Sequence, residues 1–316
     1  MSAGIPENKD LKKYRAFGLT ISSELELPGL SQGDGEVEVE ILLGAVPARL
    51  DAPIIGKTRF QATQREFLMH TKKFGSFYLT DGSRIVVQLN GETDPEGDGS
   101  RQYLLGSVFG ALLFQRGFLP LHGSALSFPD GRCFILTGKS GAGKSTLAAA
   151  FLDAGCRMLS DDVCSIHCGS DTPIVYPSYP QQKLWKDSAD LLEIDTGNLK
   201  FVPARDGKKY YRPVPVSYRS ESSPLAVVYE LVLAENIPGD RNATIERLSG
   251  TEKFLTLAKN TYRLWFAKYL GVQVPHFMQC SRLASTVQVS RITRKTSGNT
   301  IGELRDIVMA DFNGLS

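Results

Sequence analysis

One short stretch constrains the whole chain, because residues 138–145 read Gly-Lys-Ser-Gly-Ala-Gly-Lys-Ser. They match the pattern G-x-x-x-x-G-K-[ST], in which glycines let backbone N–H groups approach phosphate oxygens closely. The apolar residues 133–137 before the pattern predict a buried strand, and residues 145–152 after it predict a helix. The stretch therefore predicts a strand, loop and helix that bind a nucleoside triphosphate, and the alternative is a glycine-rich turn without a ligand.

The residues of this loop have separate predicted tasks. The start of the helix directs a positive dipole end at the phosphates, and Lys144 can reach the β- and γ-phosphates. The hydroxyl of Ser145 can coordinate Mg²⁺. The predicted nucleotide-binding residues are Gly138, Lys139, Ser140, Gly141, Ala142, Gly143, Lys144, Ser145 and Thr146.

Two adjacent carboxylates, Asp161 and Asp162, follow an apolar run that predicts a strand ending at this point. Buried charge is costly, so a pair at this position indicates function. One carboxylate would hold Mg²⁺, and the other would accept a proton from an attacking hydroxyl. A turn that caps the next element is the alternative.

Composition excludes several classes of protein. The 316 residues carry a formal net charge of +2, which gives no reason to expect nucleic acid or an acidic membrane as a partner. The start is polar without a signal peptide, and the apolar stretch at 104–114 is too short to cross a bilayer, so we expect a cytoplasmic protein.

Cys164, His167 and Cys168 lie close together in the sequence, which could suggest a metal site. No second pair of Cys or His stands at a ligand-like spacing, and the three residues fall in a predicted strand. We therefore predict that the cysteines are buried thiols.

The rest of the chain predicts an α/β protein of mixed α+β type, divided into residues 1–98 and 99–316. Alternation at 36–41 and further runs up to residue 89 predict an antiparallel β meander, followed by a polar break at 91–100. Residues 102–115 predict an apolar helix at the start of the second region. Later runs predict strands at 225–233, 243–248 and 286–292, the first two of which are expected to pair, and helices at 251–270, 276–283 and 301–309.

Two basic regions leave alternatives open. Residues 172–218 are rich in Pro, Tyr, Lys and Arg and predict a long irregular stretch, either a grip for a peptide or anionic substrate or a solvated surface loop. Arg291, Arg294 and Lys295 predict a solvated face, with phosphate contact as the alternative.

In order and spacing, His122-Gly123, the loop at 138–145 and Ser160-Asp161-Asp162 resemble the catalytic core of bacterial HPr kinase/phosphorylase. The resemblance implies the fold of that family's C-terminal domain, which phosphoenolpyruvate carboxykinase shares, and phosphorylation of a serine with ATP and Mg²⁺. It implies that Asp161 is the general base, Asp162 assists at the metal, and His122 lies near Asp161 and orients it. Lys144 would stabilise the transferring charge, and a homo-oligomer would fit the wider family.

A branch of that family is similar in further segments. Residues 14–19 with 23–28, and residues 179–185, look like the HPr-kinase-like enzymes of lasso-peptide gene clusters. Those kinases phosphorylate the C-terminal serine of a precursor peptide, so the resemblance implies a peptide or protein partner that carries Ser. Lys183 and residues 208–212 become candidates for contact with nucleotide or peptide, on their chemistry alone.

Other functions remain open at this stage. The same core would serve an HPr-type kinase/phosphorylase or a small-molecule kinase with a tighter pocket. A nucleotide sensor would use the loop as a switch without transferring phosphate. Residues 248–250 only faintly resemble the signature of an ABC-type ATPase, and no apolar strand ending in Asp-Glu follows them.

Overall fold

The computed structural model describes residues 11–57, 59–90, 98–169, 171–204, 207–238, 241–296, 298 and 300–315. The chain divides into two compact units, Met1–Arg116 with Trp265–Val272, and Gly117–Leu264 with Gln273–Ser316. Residues 99–116 thus group with the first unit. The domain division at residues 98 and 99 stays a prediction, and most of the predicted break at 91–100 lies outside the described residues.

The first unit is built on a nine-stranded sheet with the strand order β3-β1-β2-β4-β9-β8-β7-β6-β5. Its strands are β1 (Lys12–Ala16), β2 (Leu19–Ser23), β3 (Ser31–Gln32), β4 (Val39–Leu43), β5 (Ile55–Lys57), β6 (Phe60–Ala62), β7 (Glu66–Thr71), β8 (Gly75–Thr80) and β9 (Arg84–Gln88). Strands β5 to β9 form the predicted antiparallel meander. The prediction is wrong for β4, which pairs in parallel with both β2 and β9.

Helices complete this unit. The predicted helix at 102–115 is confirmed as α1 (Asp98–Tyr103), a π-helical turn at Leu104–Val108 and α2 (Phe109–Gln115). Ring contacts explain why a later helix, α6 (Trp265–Tyr269), belongs to the same unit. The ring of Phe266 lies 4.9 Å from that of Phe67, and the ring of Trp265 lies 5.2 Å from that of Phe60.

The second unit contains a seven-stranded sheet in the order β11-β10-β12-β13-β17-β19-β18, with a further pairing between β11 and β17, and a small sheet in the order β14-β16-β15. Its strands are β10 (Leu119–Ser127), β11 (Cys133–Gly138), β12 (Arg157–His167), β13 (Ile174–Tyr176), β14 (Gln181–Trp185), β15 (Phe201–Ala204), β16 (Gly207–Pro213), β17 (Ser223–Ala234), β18 (Ala243–Arg247) and β19 (Gln288–Lys295). Its helices are α3 (Lys144–Asp153), α4 (Lys186–Leu191), α5 (Gly250–Lys259), α7 (Gln273–Thr286) and α8 (Ile301–Asn313).

Three predictions for this unit need correction. The prediction that residues 172–218 are irregular is wrong, because they contain β13 to β16 and α4. Strand β18 pairs with β19 instead of β17, since β11 and β19 already occupy both edges of β17 along its middle. Strand β12 does not end at the two carboxylates but continues to His167.

Helices cover both faces of the large sheet. One core packs Phe151 of α3 and Phe312 of α8 against Phe134 and Leu136 of β11, and the other packs Leu257 of α5 and Leu283 of α7. Alternate residues of β11 contribute to the two cores, which is why residues 133–137 are apolar without interruption. All five cysteines are buried free thiols, as predicted. Across the described residues, no helix combines the length and the apolar character needed to cross a bilayer.

Candidate functional site

The glycine-rich loop joins the end of β11 to the start of α3, which confirms the predicted strand, loop and helix. Gly138, Gly141 and Gly143 have φ values of 129°, 83° and 99°, which side chains with a Cβ rarely adopt. A Cβ at Gly138 would also collide with the carbonyl oxygen of Leu231 on the neighbouring β17. The loop therefore needs glycine both for its own turn and for its packing against the sheet.

Lys144 is buried and lies across the base of this loop. Its Nζ donates hydrogen bonds to the carbonyl oxygens of Gly138 at 2.7 Å and Lys139 at 3.0 Å. Burial lowers the pKa of Lys144, against the opposing effect of the Asp161 and Asp162 carboxylates. The ammonium is thus held at the start of α3, where a positive charge and a helix N-terminus together attract an anion.

Asp161 lies in the middle of β12 and is almost fully buried, with 6% of its surface exposed. Its Oδ1 accepts a hydrogen bond from Ser124 Oγ at 2.6 Å, and its Oδ2 accepts one from the backbone N–H of Lys183 at 2.8 Å. Burial raises the pKa of Asp161, and these two hydrogen bonds partly offset the rise. The carboxylate is therefore fixed in position and has a raised affinity for a proton.

Asp162 breaks the regular alternation of β12. Successive side chains of a strand point to opposite faces, yet Asp161 and Asp162 line the same cavity. Asp162 has a φ of 74°, a left-handed conformation that Asp tolerates better than most residues with a Cβ. The left-handed backbone at Asp162 thus accompanies the position of two consecutive carboxylates in one cavity.

The Asp162 carboxylate is paired with Lys183, whose Nζ lies 2.8 Å from Oδ2. Burial alone would raise the pKa of Asp162, but the charges of Lys183 and His122 outweigh it and hold this pKa well below its usual range. One quarter of the Asp162 side chain remains exposed. Lys183 therefore touches both carboxylates, Asp161 through its backbone and Asp162 through its side chain.

The closest hydrogen-bond and charge contacts of His122 are with Asp162, and the charge of Asp161 also acts on it, so the implied role of orienting Asp161 stays a prediction. Its Nδ1 lies 3.0 Å from the backbone carbonyl oxygen of Asp162 and 3.5 Å from Oδ1 of the same residue. In the strand register, His122 is opposite Val163, and Ser124 is the residue directly opposite Asp161. Burial lowers the pKa of His122, although the Asp162 charge opposes the shift.

These groups meet in one cavity of about 570 Å³. The predicted site residues that line it are His122, Ser140, Gly141, Gly143, Lys144, Ser145, Thr146, Asp161 and Asp162. Gly138, Lys139 and Ala142 are not lining residues, but their carbonyl oxygens bind the Lys144 and Arg294 side chains. Further lining residues include Ser124, Lys183, Trp185, Lys208, Lys209 and Arg294.

The predicted basic cluster at 291–295 divides between two environments. Arg294 lines the cavity and donates from Nε to the Ala142 carbonyl oxygen at 3.0 Å, and within the described residues it has no acidic partner. Arg291, on the same strand, is paired instead with Glu230, Glu246 and Glu252. The alternative of phosphate contact thus suits Arg294, while Arg291 belongs to an ion-pair network.

Residues of strand β14 bind both the loop and the carboxylates. The buried Gln182 donates from Nε2 to the carbonyl oxygen of Ser145 at 3.0 Å, and the adjacent Lys183 holds Asp161 and Asp162. Beyond the strand, Ser188 accepts a hydrogen bond from Thr146 at 2.8 Å. Sequence reasoning named Lys183 only on its chemistry and assigned no role to Ser124 or Gln182, although Gln182 lies in the segment 179–185 that carries the second resemblance.

The oxygen donors of the cavity suit Mg²⁺ in type, since hydroxyl and carboxylate oxygens are its preferred ligands. Among the described residues, the Ser145 hydroxyl has no hydrogen-bond partner, so it is free to bind a cation. Asp162 fits less simply because its Oδ2 is paired with Lys183. Nowhere in the described part of the chain do three or more His, Cys, Asp or Glu side chains form a group that could hold a metal ion.

Comparisons with known proteins gave matches among solved structures. No protein-family model matches the chain, and no curated protein matches it at a significant level. Among solved structures, the Hpr(Ser) kinase/phosphatase from Coxiella burnetii is similar at 13% sequence identity, over 62% of this chain and 97% of that chain, with a TM-score of 0.34.

Proposed function

We propose that this protein is an ATP-dependent serine kinase that transfers the γ-phosphoryl group to the hydroxyl of a peptide or protein. One observation carries the proposal: a glycine-rich loop with a buried lysine and a fixed carboxylate line the same cavity. Phosphoryl transfer requires positioned phosphates, a cation on the transferring group and a proton acceptor for the attacking hydroxyl. Lys144 and Asp161 meet the last two requirements.

The chain's own residues have distinct tasks in this reaction. The loop N–H groups and Arg294 bind phosphate oxygens, and Lys144 stabilises the charge that develops on the transferring group. Asp161 takes the proton of the acceptor, while Lys183 keeps Asp161 and Asp162 in place. Mg²⁺, held by Ser145 and Asp162, would neutralise charge on the β- and γ-phosphates when bound.

For the acceptor, we propose the C-terminal serine of a lasso-peptide precursor, on the sequence resemblance of residues 179–185 to that branch of kinases. The charges of the cavity support an acidic acceptor. Lys208 and Lys209 line it and lie over the rings of Phe201 and Trp185, at 4.4 Å and 4.8 Å, without a close carboxylate partner among the described residues. A free C-terminal carboxylate next to the reacting serine would supply that partner.

Mass spectrometry of candidate acceptors after incubation with ATP and Mg²⁺ tests the proposal. The set contains peptides with C-terminal Ser and a free carboxylate, the same peptides amidated, internal-Ser peptides, HPr and small hydroxyl compounds. We expect one added phosphate only on the peptides that end in Ser with a free carboxylate. Asp161→Asn is the inactive control. Transfer to HPr or to a small molecule would replace the proposed acceptor, and ATP binding with no transfer at all would favour a nucleotide sensor.

A further inference from the structure

Ser124 has a position that the function proposed above does not yet use. In the antiparallel pairing of β10 and β12 it lies directly opposite Asp161, and the preceding Gly123 lies opposite Asp162. Its Oγ donates to Oδ1 of Asp161 at 2.6 Å, a length typical of hydroxyls bound to an ionised carboxylate. Both residues line the cavity.

The hydrogen bonds of Asp161 and Ser124 determine which atoms remain available to an acceptor. Both carboxylate oxygens of Asp161 already accept a hydrogen bond, Oδ1 from Ser124 and Oδ2 from the Lys183 backbone. A serine hydroxyl has one proton to donate and two lone pairs that accept. Ser124 gives its proton to Asp161, and no described residue donates to its Oγ. The hydroxyl of an acceptor in the cavity can therefore donate to Oγ.

We propose that Ser124 is a catalytic residue that passes the proton of the acceptor hydroxyl to Asp161. The proposal rests on the kinase function proposed above. As the acceptor oxygen forms its bond to the γ-phosphorus, the bond from that phosphorus to the β–γ bridging oxygen breaks and ADP leaves. The acceptor's proton moves to Ser124 Oγ, the original proton of Ser124 moves to Oδ1 of Asp161, and Asp161 becomes neutral.

Single-turnover rates of ADP formation test this role in the full chain. Water and a C-terminal Ser peptide serve in turn as acceptor, with saturating ATP and MgCl₂. We expect Ser124→Ala to lower the rate about 10²-fold, the scale of a lost acid–base contribution, and Ser124→Thr to keep most of it because threonine retains the hydroxyl. The affinity for ATP, measured by calorimetry, should change by less than about threefold.

Ser127→Ala is the matched control for fold. Ser127 is an equally buried serine on the same strand, bonded to the Arg157 carbonyl oxygen and outside the lining of the cavity. We expect its rate to match the wild type. Thermal unfolding of Ser124→Ala and Ser127→Ala shows whether a lower rate comes from the lost hydroxyl or from a lost fold. If Ser124→Ala does not fold, the wild-type rates in mixtures of H₂O and D₂O decide the role.

Rates in mixtures of H₂O and D₂O give a readout that a structural role would not affect. If two protons move in the transition state, the rate of the wild type should depend on the deuterium fraction along a curve. If one proton moves in Ser124→Ala, the rate of that variant should follow a straight line. A straight line in the wild type, an active Ser124→Ala, or phosphate found on Ser124 itself would overturn the relay. A wild type that binds ATP without forming ADP with any acceptor would overturn the kinase function, a separate result.

Discussion

Two clusters of buried charge in the second unit, one around Asp161 and the other around Glu230, differ in how their cations are bound. Glu230 is buried, and its carboxylate receives Lys259 at 2.8 Å, Arg291 at 3.0 Å and the Asn260 side chain at 3.1 Å. Arg291 also contacts Glu246 and Glu252. Every cation of this cluster is matched by carboxylates of the protein.

In the cavity, by contrast, Lys144 and Arg294 bind backbone carbonyl oxygens, and Lys208 and Lys209 lie over aromatic rings. Among the described residues that line the cavity, Lys183 is paired with Asp162 and Lys186 with Asp190. Removing one partner of a buried ion pair leaves an uncompensated charge and destabilises the fold, whereas cations left without protein carboxylates are available to an anionic ligand. The comparison predicts that substitutions in the cavity change activity and that substitutions around Glu230 change stability.

The largest effect is expected for Asp161→Asn. The amide cannot take a proton, so we expect single-turnover transfer to fall about 10²- to 10⁴-fold while ATP still binds. Rapid-quench measurement of ADP formation tests it, with calorimetry for ATP. Near-normal transfer would show that another group is the base.

Lys144→Met should lower both ATP affinity and the transfer rate, on the order of 10²-fold in rate, because it removes a cation aimed at the phosphates. Nucleotide titration and the same rate assay measure the two effects. The matched control is Lys259→Met in the other cluster, for which we expect normal ATP affinity. Equal losses of affinity in both variants would break the comparison.

Glu230→Gln should lower the free energy of unfolding by about 2–4 kcal/mol, because it leaves Arg291 and Lys259 facing a neutral, buried amide. Urea unfolding followed by circular dichroism measures the loss. We expect turnover per folded molecule to stay near the wild-type value. A drop in turnover comparable to that of Asp161→Asn would place Glu230 in the reaction and show that the two clusters do not differ in function.

The pH dependence of stability sharpens the same contrast. The pKa of Glu230 is lowered below its ordinary 4.5. Burial alone would raise it, but the hydrogen bonds from Lys259, Asn260 and Arg291 outweigh the effect of burial. A lowered pKa in the folded state stabilises the fold above the ordinary value and loses that contribution as the pH falls through the folded pKa. The difference in stability between wild type and Glu230→Gln should therefore shrink in urea unfolding below about pH 4.5; a difference independent of pH would contradict it.

The smallest effect is expected for Arg294→Gln, which should weaken ATP binding about tenfold, or about 1.4 kcal/mol, without a loss of stability. Its partner variant is Arg291→Gln on the same strand, which should lose stability and keep ATP affinity. Calorimetry and urea unfolding of both variants measure the two properties. The same effect in both would show that the strand does not separate the two environments.

The sequence by itself determined the local parts of this protein. Glycine and apolar spacing predict β11, the loop and α3 because a strand, a tight turn and a helix start are set by neighbouring residues. The antiparallel strands β5 to β9 and the buried cysteines follow from the same local rules. The same rules do not predict the structure of residues 172–218. The aromatic and basic residues of their three-stranded sheet show no clear strand periodicity in the sequence.

Only the tertiary structure decided which side chains meet. Ser124 reaches Asp161 through the register of β10 and β12, and Lys183 reaches both carboxylates from a different sheet. Arg294 comes to the loop from a strand 152 positions away from Ala142. The φ of 74° at Asp162 brings the second carboxylate into the cavity. Register, strand order and a single strained dihedral depend on packing across the whole unit, so no local pattern of residues encodes them.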